Sequence, residues 1–305
     1  MRSRVAIAGF TGRPAEFRDD EVLIERLRGR GLDAAGPTWD DPAIDWDGFD
    51  LVVARSPWDY TTRLEEFLAW TESVRAPLEN SAEVIAWNSD KRYLADLRDA
   101  GVPIVATTYI APGEEVPPIA SEVVVKPTLS AGARNTGRFR PERASEAVEL
   151  IGRIHSLGRT AMVQPYLSSV ESSGETAIVL IGGEISHVLR KRSLLRADEV
   201  APVRTDGLGV AEVMYDPDLV VAGAADDHEL ALAGKVLGAV RDRFGVAPLV
   251  VRVDMLRDAA GSAVLLELEA IEPNLYFSEV PEAADRLADA IVTRLEATRS
   301  GAWTS

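Results

Sequence analysis

Cysteine is absent, which removes disulfides, thiolate nucleophiles and Cys-based zinc sites together. Histidine is nearly absent: His155, His187 and His228 stand at spacings that match neither a metal site nor a nucleophilic triad. No apolar run approaches the ~20 residues needed to span a bilayer. The first run, Val5 to Phe10 behind Arg2 and Arg4, stops at Thr11-Gly12-Arg13-Pro14 and is too short for a signal-peptide core. Positive charge is scarce as well. Against 49 acidic residues stand 33 basic ones, and the net charge of −16 disfavours nucleic acid or an anionic membrane as partner. The expectation is a cytoplasmic protein acting on a small molecule, with a homodimer left open.

What is present is enough apolar side chain for a sizeable core: 46% of 305 residues, the material of about two domains or three small ones sharing cores. Lysine is the informative rarity. It occurs only at Lys91, Lys126, Lys191 and Lys235, while arginine supplies the other 29 basic residues. Codon bias accounts for the arginines but not for the four exceptions. A compact ammonium on a flexible stem acts as a point charge among phosphate oxygens, which a planar guanidinium does less well.

The chain opens with a buried strand over 4–10, a helix from Asp19-Asp20-Glu21 to Gly29–Gly31, a strand over 50–54 and a helix near 63–74. That alternation predicts a parallel sheet flanked by helices, with ligands outside the carboxyl ends of its strands. Loops 11–19 and 55–62 then share one rim. Asn80 to Asn88 reads as a crossing segment, and Ser89-Asp90 as the cap of a helix from Lys91 to Ala100. Beyond it come a strand at 122–127, a helix near 143–156 and a strand at 161–164. A hairpin turns at Gly182-Gly183, residues 193–216 read as an irregular and mobile loop, and a helix covers 226–243. Strands at 249–254 and 263–269 and a helix over 281–297 complete the chain.

Four constellations carry chemistry. Lys126 ends a β-branched run and leads into the small-residue loop Thr128-Leu129-Ser130-Ala131-Gly132-Ala133, where backbone N–H groups can approach an anion. A solvent-facing Lys on an edge strand fits equally well. In Val163-Gln164-Pro165-Tyr166-Leu167 the proline removes an N–H while Tyr166 and Leu167 keep theirs for a base edge; Glu175, after Gly174, is placed for ribose hydroxyls. An ordinary strand end is the alternative. Period-two alternation puts Arg252 and Asp254 on one strand face, and Glu267 and Glu269 on another. So many like charges need a cation, and hard oxygen ligands point to Mg2+ shared with phosphates unless the two glutamates face solvent. Glu272 and Asn274 follow in the exiting loop, within reach of substrate or metal. Finally, Arg55-Ser56-Pro57-Trp58-Asp59-Tyr60 offers a forked donor for a carboxylate, a carboxylate for an ammonium and an aromatic face, as capture of a small amino-acid-like zwitterion requires.

In this order the residues resemble the ATP-grasp superfamily along nearly the whole chain. The resemblance implies an α/β fold of three parts: an N-terminal Rossmann-like parallel-sheet domain (1–88), a central helix with a small α+β lid (89–167), and a C-terminal antiparallel-sheet catalytic domain (168–305). It implies ATP and Mg2+ as cofactors. Lys91, Lys126, Ser130, Ala131, Gln164, Tyr166, Leu167 and Glu175 take the nucleotide positions, with Glu171 as a substitute ribose acid. Asp254, Glu267 and Glu269 take the metal positions, and Arg252 and Lys191 the catalytic ones. Arg55, Trp58, Asp59 and Asn274 are left for substrate. The family's usual Glu-x-Asn is Glu267-Leu268-Glu269 here, and the covering loop has a single glycine.

More narrowly, RSPWDY, WNSDKRYL, VVVKPTLSAGARNT, VQPYL, GGEISHVLRK and ELEAIEPNLYF are similar to the small ATP-grasp group that includes the cyclo-ligase of D-cycloserine biosynthesis. That resemblance implies an acyl phosphate and closure of O-ureido-D-serine onto its own aminooxy nitrogen, with release of ADP and phosphate. An intermolecular carboxylate–amine ligase on the same fold and a nucleotide-binding protein without chemistry are the alternatives.

Overall fold

The computed structural model describes residues 2–12, 17–193 and 219–300. Three sheets surround one cleft. The first is parallel, in the order β2-β1-β3-β4, built from β1 (Arg4–Gly9), β2 (Asp33–Ala35), β3 (Leu51–Ser56) and β4 (Leu78–Glu79). Residues 5–9 of β1 and 51–54 of β3 are apolar and buried because both faces of the sheet are covered. Helices α1 (Asp19–Gly29) and α2 (Leu64–Ser73) follow the expected pattern, with the acidic first turn of α1 suiting its dipole. The three-residue β2 is too short to leave a readable pattern.

Two expectations along the next segment are corrected. The crossing segment contains a helix, α3 (Ala82–Asn88), capped by Ser81, whose hydroxyl accepts from the Val84 N–H. The helix expected from Lys91 starts later, as α4 (Tyr93–Asp99). Asp90 turns the chain by accepting from the Arg92 N–H, and the Lys91 N–H donates to the Thr128 carbonyl at 2.9 Å. Lys91 is thereby fixed against the central sheet rather than on a helix.

The central sheet is antiparallel, in the order β5-β8-β6-β7, from β5 (Thr108–Ile110), β6 (Val123–Pro127), β7 (Gly137–Phe139) and β8 (Ala161–Pro165). One face packs on α5 (Ala144–Ser156), whose Ala147, Leu150, Ile151 and Ile154 recur at helical spacing and are buried.

The third sheet is antiparallel in the order β11-β10-β9-β12-β13. After the short α6 (Ser169–Ser173) it comprises β9 (Glu175–Ile181), β10 (Glu184–Lys191), β11 (Val220–Ala222), β12 (Val250–Arg257) and β13 (Ala263–Glu269). The hairpin expected at Gly182-Gly183 is present, with both glycines at positive φ, 62° and 90°. The irregular stretch expected over 193–216 lies, apart from Ser193, outside the described residues. Helix α7 (Asp227–Phe244) begins at a capping box of Asp226 and Glu229 and ends at Gly245 in the left-handed region. Helix α8 (Glu282–Arg299) buries Ala283, Leu287, Ile291 and Leu295 in a core shared with β1, β3 and β9, joining first and third sheets through one apolar cluster. Each such Leu or Ile contributes about 1.5–3 kcal/mol.

Two buried asparagines fix the end of β13. Asn80 donates to the carbonyls of Val250 and Ala270 and accepts from the Leu249 N–H, while Asn88 donates to Leu268 and accepts from Ala270. The strand pair that carries the acids is thus held in register by side chains from the first unit. Among the described residues no helix is long and apolar enough to cross a membrane.

Candidate active site

The cleft between the three sheets has a volume of about 290 Å3, just under the usual range for small-molecule sites. Its floor is the third sheet. Strands β12 and β13 pair with Arg252 opposite Glu269 and Asp254 opposite Glu267, so period-two alternation places all four side chains on the cleft face. Lys191 lies opposite Glu175 on the neighbouring pair.

The floor is densely ion-paired. Lys191 Nζ donates to Glu175 Oε1 at 2.6 Å and to Asp254 Oδ2 at 2.8 Å. Arg252 grips Asp254 with two bonds of 2.8 Å and reaches Glu269 with the same guanidinium. Lys91 Nζ meets Glu267 at 3.1 Å and donates to the Ser130 carbonyl at 2.7 Å; Lys126 Nζ is 3.9 Å from Glu267. Burial works to raise the Asp254 carboxyl, but Arg252 and Lys191 together hold it below the usual carboxylate range. Burial pushes Lys126 down against the pull of Glu267.

The lysines fall where a polyanion would need them. Lys126 projects from β6 and Lys91 from the turn before α4, so both face the acids of the floor from the central unit. The loop after Lys126 carries Gly132, Ala133 and Asn135 in the left-handed region, φ 64°, 56° and 52°. For the non-glycine residues that conformation costs about 1 kcal/mol or more each. Ser130 and Ala131 line the cleft, and Arg134 and Arg159 tie the same loop to Thr61 of the first unit. At the far end Gln164, Tyr166, Leu167 and Glu175 line it too. Here one detail is corrected: the Tyr166 N–H donates to the Glu122 carbonyl at 2.9 Å, so of the two amides expected to face a base only that of Leu167 remains. Arg138 stacks on the Tyr166 ring, 3.4 Å from its centroid, and pairs with the exposed Glu171, which lies outside the cleft.

The zwitterion pair expected at the first-sheet rim is also corrected. Arg55 is buried beneath the cleft, donating to the Pro273 carbonyl at 2.8 Å and lying 3.7 Å from Asp20. Asp59 accepts from Trp39 Nε1 at 2.8 Å and pairs with Arg63 at 3.3 Å, away from the cavity. Trp58 and Asn274 do line the cleft, but the Asn274 side chain accepts from the Tyr276 N–H. Tyr60, Arg134 and Tyr276 were not among the expected site residues. Tyr60 sits in the same RSPWDY segment, one residue beyond Asp59, and bonds to Glu272; Arg134 and Tyr276 have no local sequence signal.

The donor set fits Mg2+ held jointly with phosphates. Among the described residues no three acids or histidines converge as a ready cage, and Asp254, Glu267 and Glu269 each already face a lysine or arginine. Phosphate oxygens offer those cations other partners and leave hard carboxylate oxygens for a divalent ion. Three sheets closing on lysines, acids and a small-residue loop define an ATP-grasp ligase, an enzyme that forms C–N bonds.

Residues 5–80 match the family described as D-cycloserine synthetase DcsG, N-terminal domain. The cycloserine biosynthesis protein DcsG of Streptomyces lavendulae is 35% identical over 292 residues, which cover 91% of this chain and 94% of that protein. The crystal structure of D-cycloserine synthetase DcsG superposes with a TM-score of 0.86 at 32% identity, covering 96% of this chain and all of that one. D-alanine–D-alanine ligase from Bacillus anthracis, complexed with ATP, shares the fold at TM-score 0.69 and 13% identity, covering 99% of this chain and all of its own. The chain belongs to the DcsG family of ATP-grasp ligases.

Proposed function

We propose that this chain activates the carboxylate of O-ureido-D-serine with ATP and closes the ring of D-cycloserine. The convergence of Lys91, Lys126 and Lys191 on Asp254 and Glu267, with Glu269 held beside them by Arg252, carries the reading, and the similarity to DcsG along nearly all of both chains supports the substrate. Lys126 and Lys191 hold the phosphates, the 128–136 loop covers them, and the Leu167 amide faces the base. Asp254, Glu267 and Glu269 would hold Mg2+, which would supply neutralising charge to the transferring phosphoryl group. The substrate carboxylate attacks that group to form an acyl phosphate; the ring-forming nitrogen then displaces phosphate while Arg252 stabilises the oxyanion. Loss of the carbamoyl group as carbamate takes up one water. The central unit, 106–167, acts as a lid that keeps other water from the acyl phosphate.

The test supplies ATP, Mg2+ and O-ureido-D-serine with no second amine. The expected result is ADP and D-cycloserine in equal amounts, read by coupled assay and mass spectrometry. ADP formation only when a second amine is added identifies an intermolecular ligase instead, and no ADP with any acid panel identifies a nucleotide-binding protein.

A further inference from the structure

Five carboxylates line the cleft, and four of them, Glu175, Asp254, Glu267 and Glu269, lie within 4 Å of a lysine or arginine. Glu272 is the exception. It is 9% exposed, has no ion-pair partner among the described residues, and its carboxyl is bonded by the hydroxyl of the buried Tyr60. Its place is set by the backbone. The carbonyls of Glu272, Pro273 and Asn274 accept in turn from Trp58 Nε1 at 3.2 Å, Arg55 Nη1 at 2.8 Å and Arg252 Nη1 at 3.0 Å. Three donors thus clamp three successive peptide groups, two of them from the first sheet and one from the third.

A buried carboxylate without a cation is disfavoured by several kcal/mol, and burial together with Glu269 pushes Glu272 up to about 8. Lys91 opposes this without overcoming it, and among the described residues no lysine or arginine pairs with Glu272. Glu272 lines the same cleft as Lys91, Glu267 and Glu269 and follows Glu269 by three residues, beside the acids assigned to the metal. In an α-amino acid, carboxylate and ammonium share one carbon. A group that holds the ammonium must therefore stand next to the place where the carboxylate meets the phosphates.

We propose that Glu272, oriented by Tyr60, is the recognition group for the protonated α-amino group of the amino-acid substrate, the role the sequence alone gave to Asp59. This rests on the function proposed above. It adds the subsite that distinguishes an α-amino acid from a plain carboxylic acid.

The test measures binding by calorimetry, with Mg2+ and a non-hydrolysable ATP analogue present. The two ligands are O-ureido-D-serine and 3-(ureidooxy)propanoic acid, which lacks only the amine. Wild type is expected to prefer the amino acid by about 10–100-fold, the range of a hydrogen-bonded charge pair. Glu272→Gln is expected to bind the two within about threefold of each other and Tyr60→Phe to lose about 3–10-fold of the preference, with nucleotide affinity unchanged in both. Full preference retained by Glu272→Gln overturns the inference. Should that variant lose nucleotide binding as well, Tyr60→Phe decides: an unaltered preference overturns the inference. Binding of O-ureido-D-serine without cyclisation overturns the proposed reaction alone, and no binding by wild type overturns both.

Discussion

On the floor of the cleft, formed by β9, β10, β12 and β13, every carboxylate meets a lysine or arginine, and Arg252 and Lys191 each bridge two acids. On the wall built from 55–62 and 272–274, Arg55 meets backbone carbonyl and Asp20, while Glu272 meets the Tyr60 phenol and, among the described residues, pairs with no cation. Both regions bury charge, yet they balance it differently. The four acids of the floor are balanced by its own Lys191 and Arg252 together with Lys91 and Lys126 from the central unit, a set that can trade partners when a polyanion arrives. Among the described residues the wall carries an acid, Glu272, with no ion-pair partner. Closed charge sets belong where the protein rearranges its own partners, and an open one where the ligand brings the partner.

The comparison breaks most sharply at Arg55. If its role is the clamp and the Asp20 pair, Arg55→Met removes the buried cation 3.7 Å from the 4%-exposed Asp20 and lowers stability by about 3–5 kcal/mol, measured by urea unfolding. Little loss of stability, with a weakened affinity for the amino-acid substrate, would restore Arg55 to direct contact. The floor is tested by Asp254→Asn. Lys191 keeps Glu175 and Arg252 keeps Glu269, so the fold survives. The variant loses the carboxylate that Arg252 and Lys191 share and that is proposed to hold the divalent ion, and turnover is expected to fall about 10²–10³-fold. Turnover within a few-fold of wild type would remove Asp254 from the metal set.

How much of this was legible follows from the range of each signal. Alternation along a strand is local, so the shared face of Arg252, Asp254, Glu267 and Glu269 could be read directly. The order of sheets and helices likewise follows from apolar periodicity. The choice between Asp59 and Glu272 could not, because Arg55 reaches a carbonyl 218 positions later and Tyr60 bonds an acid more than 200 positions away. The Tyr166 amide was misread for the same reason, since its acceptor, the Glu122 carbonyl, lies just before β6 and far back along the chain. Helix α3 was missed because seven residues give barely two turns of pattern.

Glu79 supplies an intermediate case away from the cleft. It is buried, and the one cation paired with it among the described residues, Arg294 at 3.3 Å, does not offset burial, which pushes the carboxyl up to about 7. A carboxyl raised in the folded state binds more protons there than in the unfolded chain between pH 4.5 and 7, so the stability it contributes is greatest at low pH and declines across that window. Glu79→Gln removes the titration. The stability of the variant relative to wild type is therefore expected to rise by up to about 3 kcal/mol across that window and then level off. A difference independent of pH would mean that Arg294 neutralises Glu79 fully.

The smallest effect is expected at Asp59, and it sharpens the comparison because it lies on the same wall as Glu272. Its carboxylate accepts from Trp39 Nε1 at 2.8 Å, a bond that an asparagine oxygen can also accept, and its pair with the partly exposed Arg63 at 3.3 Å is the weak, solvent-screened kind. Asp59→Asn should cost less than about 1 kcal/mol in stability and leave the KM for the amino-acid substrate within about twofold. The two acids carry the same formal charge, and they differ in what already answers it. A large rise in KM at Asp59 would mean that the substrate reaches past the clamp into the first sheet, and the division between an internally balanced set and an open one would no longer describe this wall.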